Sequence, residues 1–530
     1  MSQKARVLTI RHTRKRSPWV HWTLKVTLLL SVVATGVGWV VASPIGSSPD
    51  DDYHLDSIWC LDPVEESCRT RFANGVTEIE VPEPIGNGSP CYAFRPEESA
   101  ACSLQFKDDA KRWATRYDDG GYPPGYYRFH HLLIGRNVSV AALTMRAANT
   151  TIAIALLGTI GALMPKRMRQ HYAFALLASL IPMGVYFITS NNPSSWSITG
   201  VIATGIGLYA SVHSQGVRRW GLFTCAIIGA ALSYSSRFDA AIYIFVTAAA
   251  LLFAVKWDRD LKLHATATTL LGAIGLAEIL LSGRSTGPEI SDATTSDSSG
   301  LAEKIIRTLM ALPELFGGFY GFIKGPGWFD VPLEGPITVL LLVSVGGALF
   351  VALHHGSWRK WMTALMIFGA MCGLPILMVV RRVFDDFTTY QPRYILPLLP
   401  ILLFFLFAID APEQRLFTTP QLTLFSASTV IAHSLTLHKL LTRYTRGLSG
   451  PEKLNLDYDI KWWWNIPISP MFVWIGTSLA MLLTFICIIA LTQYDSSDNE
   501  TTTLQLRPHL RERSQDDQPR YTSTTDDSSF

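Results

Sequence analysis

Residues 22–42 read WTLKVTLLLSVVATGVGWVVA, an apolar run close to the ~20 residues that a helix needs to cross a bilayer. Runs of similar length and character recur along the chain, so a repeated membrane-spanning signal decides the fold. They predict an all-α polytopic membrane protein with about twelve transmembrane helices. The further predicted spans cover 144–164, 171–189, 198–214, 221–236, 239–256, 263–282, 337–354, 361–380, 394–410, 418–441 and 471–492.

The composition of the whole chain agrees with this prediction. Hydrophobic residues make up 48% of the chain and charged residues only 16%, whereas soluble proteins are about a quarter charged. The mean hydropathy is +0.23. The roughly twelve apolar runs exclude a soluble enzyme, a nucleic-acid-binding protein and a single-span receptor. The net charge of +3 is uninformative about partners until it is resolved by segment.

The distribution of basic residues predicts which side of the membrane each segment faces. The N-terminal segment, 1–21, is basic and lacks acidic residues, so the positive-inside rule places it in the cytoplasm. A secretory signal peptide is the alternative for the first apolar run. The tail, 493–530, is rich in Ser, Thr, Asp and Arg and is predicted to be disordered and cytoplasmic. The transmembrane domain is 22–492, with short basic loops predicted to be cytoplasmic at 165–169, 218–219, 256–262 and 358–360.

Three long segments, 44–143, 283–336 and 442–470, are then predicted to face outward. The first contains four of the seven cysteines, which on the oxidising side of a membrane indicates two disulfides. Three connectivities are open, and we favour the local pairs Cys60–Cys68 and Cys91–Cys102. A metal site is the alternative, although the spacing is not that of paired C-x-x-C motifs.

Common nucleotide and metal motifs are absent from the sequence, including G-x-x-x-x-G-K-[ST], H-E-x-x-H and G-x-G-x-x-G. This argues against a pump with its own ATP site. An enzyme working on the outer face needs a substrate that is already activated and already in the membrane. A polyprenyl-phosphate sugar meets that requirement.

An acidic cluster follows the first predicted span, at Ser48-Pro-Asp-Asp-Asp-Tyr-His-Leu-Asp56. A carboxylate at the membrane surface can take a proton from an attacking sugar hydroxyl, as a general base, or hold a divalent cation against a phosphate. Asp51, or else Asp50, is the candidate base. A solvated acidic loop is the alternative.

Arg381, Arg382 and Arg393 lie at the outer membrane edge on this topology, the wrong side for residues that only orient the protein. An arginine donates two hydrogen bonds to a phosphate, so these three are candidates for binding a donor phosphate. Ion pairing with Asp385 and Asp386 is the alternative.

Four motifs in this order resemble the multi-pass membrane proteins of domain-of-unknown-function family 2142, over roughly residues 25–490. Two departures from the family pattern are Asp51, where Glu is usual, and Pro392, where Gly is usual. The motifs here are Pro49-Asp50-Asp51-Asp52-Tyr53-His54, Pro123-Pro124-Gly125-Tyr126-Tyr127, Gly327-Trp328-Phe329-Asp330-Val331-Pro332-Leu333 and Gln391-Pro392-Arg393-Tyr394-Ile395-Leu396-Pro397.

The resemblance implies a GT-C-like fold in a bacterial plasma membrane, with the site on extracytoplasmic loops and both termini cytoplasmic. It implies transfer of a sugar from a polyprenyl-phosphate donor to an envelope glycan, lipid or protein. Divalent-cation dependence stays open. The motif residues expected to contact substrate are His54, Tyr126, Tyr127, Trp328, Asp330, Gln391 and Tyr394.

Two other classes of function remain as alternatives. A transporter or lipid flippase would favour internal repeats and paired charges deep within the spans. The sequence shows no repeat, and its ionisable residues lie mainly at outer edges, with Arg146, Arg237 and Asp239 as exceptions. Arg237 and Asp239 are also compatible with a glycosyltransferase site. A non-catalytic assembly scaffold is the second alternative.

Overall fold

The computed structural model describes residues 18–497, except 89, 282–300, 323–324, 334, 385, 388, 412–415, 451–452 and 459. Several predictions from the sequence fall outside these residues. They concern most of the basic N-terminal segment, the start of the second long loop, Asp385 as an ion-pair partner, and nearly all of the tail.

The described residues are mainly helical. The helices of the first half are α1 (Pro18–Val41), α2 (Asp51–Trp59), α3 (Val64–Ser67), α4 (Pro124–His131), α5 (Val138–Leu163), α6 (Lys166–Ser179), α7 (Pro182–Ile188), α8 (Ser194–Val212), α9 (Gly216–Tyr234) and α10 (Phe238–Ala254). Those of the second half are α11 (Lys262–Leu281), α12 (Leu301–Gly317), α13 (Pro336–Ala352), α14 (Trp358–Val380), α15 (Leu398–Ala408), α16 (Thr419–Arg446) and α17 (Pro470–Ser497).

Every apolar stretch predicted as a span coincides with a helix or, for 171–189, with the pair α6 and α7. Among the described residues, six helices are long and apolar enough to cross a membrane, or seven if α6 and α7 form one span. The protein is therefore membrane-embedded through several helices. Twelve crossings stay a prediction, because helices such as α15, with 11 residues, are shorter than a bilayer requires.

Two features of the helical core were not evident from hydropathy. The chain bends by 91° between α6 and α7, where Pro182 occupies the first turn of α7. Helix α8 is buried on nearly all sides, because 94% of its apolar stretch lies inside the protein. Small residues let α9 approach it closely, since a Cβ added at Gly229 would stand 2.7 Å from the Cβ of Ala203. Helix α8 therefore lies at the centre of the helical body.

The first long loop contains a three-stranded antiparallel sheet that an all-α prediction omits. Its strands, in the order β1-β2-β3, are β1 (Thr70–Ala73), β2 (Val76–Pro82) and β3 (Lys111–Ala114). Asn74 and Gly75 join β1 to β2, both with positive φ (53° and 83°), as a two-residue hairpin turn requires. An Asn-Gly pair between two short strands is a local signal for a hairpin, and hydropathy alone does not reveal it.

The predicted disulfides are confirmed. Cys60 pairs with Cys68, and Cys91 pairs with Cys102. The first disulfide joins the residue after α2 to the residue after α3, and the second packs against the helical core. The remaining cysteines, Cys225, Cys372 and Cys487, lie on helices α9, α14 and α17 as predicted.

Candidate functional site

The acidic motif of the first loop forms the start of α2. Asp51 is the first residue of the helix, and Asp50 precedes it in the left-handed conformation (φ 63°), which aspartate tolerates better than most residues. The two carboxylates have different environments as a result. The side chain of Asp50 is 35% exposed, whereas Asp51 is fully buried.

Asp50 forms ion pairs with two arginines from distant parts of the chain. Its Oδ2 lies 2.8 Å from Nη2 of Arg393, and its Oδ1 lies 3.1 Å from Nη2 of Arg116. The side chain of Arg393 is only 1% exposed, and its Nη1 also donates to the carbonyl of Pro49 at 3.3 Å. Burial acts to raise the pKa of Asp50, but interactions with Arg393, His54 and Arg116 outweigh it and hold the pKa below its ordinary value. Asp50 is therefore an ionised carboxylate.

A second arginine–aspartate pair lies beside the first. Arg237, in the turn between α9 and α10, donates to both oxygens of Asp239, at 2.8 Å and 2.9 Å. The Cζ atoms of Arg237 and Arg393 lie 5.1 Å and 5.2 Å from the centroid of the Tyr394 ring. The fold thus brings Asp50, Arg237 and Arg393 together around Tyr394; we call these four residues the ion-pair cluster.

His54 and Tyr127, which the motifs predict as substrate contacts, adjoin the cluster. Nδ1 of His54 lies 2.9 Å from the hydroxyl of Tyr127, and Nε2 has no hydrogen-bond partner among the described residues. Burial lowers the pKa of His54 well below its ordinary value, so the imidazole is neutral. The ring of Tyr122 stands 5.3 Å from that of His54. A buried nitrogen without a partner makes His54 a candidate contact for a bound molecule.

Other residues predicted as substrate contacts are committed to internal bonds. The hydroxyl of Tyr126 accepts a hydrogen bond from Asn149 at 3.0 Å, in a fully buried position. Nε1 of Trp328 donates to the carbonyl of Gly46 at 2.8 Å. Their geometry favours a role in holding the loops. Gln391 precedes the short turn that carries Arg393, and its Oε1 has no partner among the described residues.

Asp330 shows how the second loop is attached to the first. Its Oδ2 lies 2.7 Å from Nη2 of Arg443, a fully buried arginine near the outer end of α16 on the predicted topology. The same Nη2 donates to the carbonyl of Tyr92 at 2.7 Å, and Nη1 donates to the carbonyl of Glu98. Sequence reasoning missed Arg443. Its position was the available signal, because an arginine at an outer helix end runs against the positive-inside rule.

Arg381 and Arg382 follow the end of α14 and are both exposed. They take no part in the ion pairs of Asp50 or Asp239. The structure therefore brings Arg237, rather than these two predicted arginines, next to Arg393.

Asp51 lies in a closed, internal environment. Its Oδ2 accepts a hydrogen bond from the backbone of Ser48 at 3.2 Å and lies 3.7 Å from Nη2 of Arg146. Arg146, on α5, also donates to the carbonyls of Ser43 and Pro44, each at 2.7 Å. The role of this arginine was not evident from the sequence. Its contacts link the residues that follow α1 to the acidic motif. Burial raises the pKa of Asp51 to about 7.

The raised pKa of Asp51 predicts a pH-dependent contribution to stability. A carboxyl whose pKa is higher in the folded state stabilises the fold below its unfolded pKa, and that contribution is lost as the pH rises through about 7. The melting temperature in nanodiscs should therefore fall less steeply from about pH 5 to about pH 8 in Asp51→Asn than in the unmodified protein. The other buried carboxyls are present in both proteins, so the difference between the two slopes reports on Asp51. Equal slopes would contradict this account of Asp51.

Among the described residues, no three His, Cys, Asp or Glu side chains come together in a group that could hold a metal ion. The positive charges next to Asp50 are those of Arg116 and Arg393.

Comparison with known proteins gives one match. No curated protein and no solved structure matches the chain. The family model described as "Predicted membrane protein (DUF2142)" matches residues 33–402. That range includes all four motifs and ends just after Arg393 and Tyr394. The chain therefore belongs to the DUF2142 family of predicted membrane proteins.

Proposed function

We propose that the protein is an integral-membrane glycosyltransferase with a GT-C-like fold. It transfers a sugar from a polyprenyl-phosphate donor to an envelope glycan, lipid or protein on the outer face of a bacterial plasma membrane. The observation that carries the proposal is the ion pair between Asp50 and Arg393, which lie 343 residues apart in the chain. It supports the proposal because a carboxylate able to take a proton and a guanidinium able to bind a phosphate are in contact.

The chemical step assigns a role to each of the three charged members of the cluster. The oxygen of an acceptor hydroxyl bonds to the anomeric carbon of the donor sugar, and the bond from that carbon to the phosphate oxygen breaks. The bonding electrons leave with polyprenyl phosphate, whose charge Arg393 and Arg237 stabilise. The hydroxyl proton passes to Asp50. Asp50 is a better candidate than Asp51 because a fully buried carboxyl is closed to an acceptor.

The present contacts of Asp50 suggest how the donor prepares the base. A donor phosphate and the Asp50 carboxylate compete for the same guanidinium of Arg393. When phosphate takes that position, Asp50 loses one of the two arginines that hold its pKa low. Its affinity for a proton then rises.

The proposal requires the cluster to face outward, with twelve crossings and both termini in the cytoplasm. Lys107→Cys, in the first loop, should react with an impermeant maleimide added to intact cells. His355→Cys, between α13 and α14, should react only after the membrane is opened. The native disulfides stay in place, and Cys225, Cys372 and Cys487 are replaced by alanine. The reverse labelling pattern would contradict the topology.

The function is tested by analysing envelope glycans in a strain that lacks the protein. A specific sugar linkage should be missing, and the unmodified protein but not Asp50→Asn should restore it. The unused polyprenyl-phosphate sugar should accumulate on the outer leaflet, where impermeant periodate oxidises it. Accumulation on the inner leaflet would indicate a flippase instead. Full function after combined replacement of Asp50 and Asp51 would indicate a scaffold.

A further inference from the structure

A cavity of about 460 Å³ lies beside the ion-pair cluster. Its walls come from the end of α2, the loop before α4, α4 itself and the neighbouring ends of α9, α10 and α11. Its volume is in the range of sites that bind small molecules, about 300–1,000 Å³. None of the roles assigned above uses this space.

Three carboxyl groups and one guanidinium line the cavity, those of Asp62, Asp118, Glu278 and Arg128. Asp118 is 4% exposed, and its Oδ1 accepts hydrogen bonds from the Tyr53 hydroxyl at 3.0 Å and from the backbone of Gly121 and Tyr122 at 2.8 Å and 3.0 Å. These bonds fix the carboxyl group through one oxygen only. Glu278, near the C-terminal end of α11, has a buried Oε2 without a partner among the described residues. The cavity thus contains acceptors for hydroxyl groups, and its three carboxyl groups outnumber its one arginine, which disfavours an anion.

Tyrosine rings form the wall nearest the cluster. Tyr122 and Tyr127 both line the cavity. The Tyr122 ring also lies 5.8 Å from Cζ of Arg237, and the Tyr127 hydroxyl contacts His54. The cavity and the ion-pair cluster therefore share these residues as a common boundary. Flat aromatic surfaces beside fixed polar groups suit a ligand with apolar faces and hydroxyl edges, such as a sugar ring.

We infer that this cavity binds the acceptor, as an uncharged glycosyl group whose hydroxyls donate hydrogen bonds to Asp118 and Glu278. The inference rests on the proposed glycosyltransferase function, since it gives the second substrate of the same site a location. It also separates the two substrates by charge. The anionic donor phosphate goes to the arginines, and the neutral acceptor goes to the carboxylates.

The test measures binding of a panel of neutral methyl glycosides to the full-length protein in nanodiscs, by saturation-transfer NMR. Asp118→Asn keeps the Oδ1 acceptor that holds the loop but removes the charge, and Leu61→Trp fills part of the cavity. Each should weaken glycoside binding about tenfold or more, Asp118→Asn because about one hydrogen bond to a charged group is lost and Leu61→Trp because the indole occupies the ligand's space. Glu66→Gln, an exposed carboxyl on α3, is the matched control and should bind normally.

Polyprenyl phosphate binding is measured on the same samples and should be unchanged in both cavity variants. Octyl glycosides of the bound sugar identify the source of the acceptor: tighter binding indicates a glycolipid head group, and equal binding indicates the end of a glycan. Absence of glycoside binding, or equal glycoside binding by all variants, would overturn the cavity assignment. Failure of the unmodified protein to bind polyprenyl phosphate would instead count against the proposed function.

Discussion

An Arg393→Ala variant is expected to bind polyprenyl phosphate about tenfold to a hundredfold more weakly than the unmodified protein. Hydrogen bonds to charged groups contribute about 1.5–3 kcal/mol, and about 1.4 kcal/mol corresponds to a factor of ten. Arg393→Lys should lose less, because lysine keeps the charge but lacks the planar fork that binds two oxygens. Binding is measured in nanodiscs with the lipid phosphate alone.

Stability separates this role from a purely structural one. Removing one partner of a buried ion pair is usually costly because the other charge is left unpaired. Here Asp50 is partly exposed and keeps its contact with Arg116. The melting temperature of Arg393→Ala should therefore fall only slightly. Arg69→Ala, at an exposed arginine of the first loop, is the control. Unchanged phosphate affinity in a folded Arg393→Ala protein would exclude the donor-binding role.

The second large effect is expected at Asp50. Asp50→Asn should lower the transfer rate by about 10²–10⁴-fold, the usual contribution of a general base. An asparagine oxygen still accepts a hydrogen bond from Arg393, so the local structure is preserved, but the amide cannot take the proton. Polyprenyl-phosphate affinity should stay the same or increase, because a competing carboxylate is gone. The variant therefore separates catalysis from donor binding.

Asp51→Asn is the matched comparison at the adjacent residue. It should leave the transfer rate within a few fold and change mainly the pH dependence of stability, because the side chain is internal. The measurement is single-turnover transfer from a radiolabelled donor. If Asp51→Asn abolishes transfer and Asp50→Asn does not, the base is Asp51, as the sequence first predicted. If both variants keep full activity, neither residue is the base.

The membrane class of the fold and the disulfides of the first loop were predictable from the sequence. Apolar runs predict membrane-spanning helices because insertion into a bilayer depends on the composition of one continuous segment. Cys60 and Cys68 are close in sequence, as are Cys91 and Cys102, so short segments suffice to bring each pair together. The hairpin of β1 and β2 is also encoded locally, by Asn74 and Gly75, although hydropathy does not reveal it.

The partners of the charged residues could not be predicted in the same way. The sequence offered Asp385 and Asp386 as partners for Arg393 because they are near in the chain, whereas the fold supplies Asp50. The sequence also left Asp50 and Asp51 as nearly equal candidates for the general base. Their environments differ because Asp50, in the left-handed conformation before α2, contacts the arginines, while Asp51 is enclosed by the packing around Arg146.

Local sequence was therefore enough to predict a helical membrane protein of this family and the motifs in its loops. The meeting of Asp50, Arg237 and Arg393 at Tyr394, the internal position of Asp51 and the cavity beside them emerge only in the folded chain. The physical reason is the range of the interactions. Helix formation and membrane insertion depend on neighbouring residues, whereas ion pairs and cavities depend on how distant helix ends pack against one another.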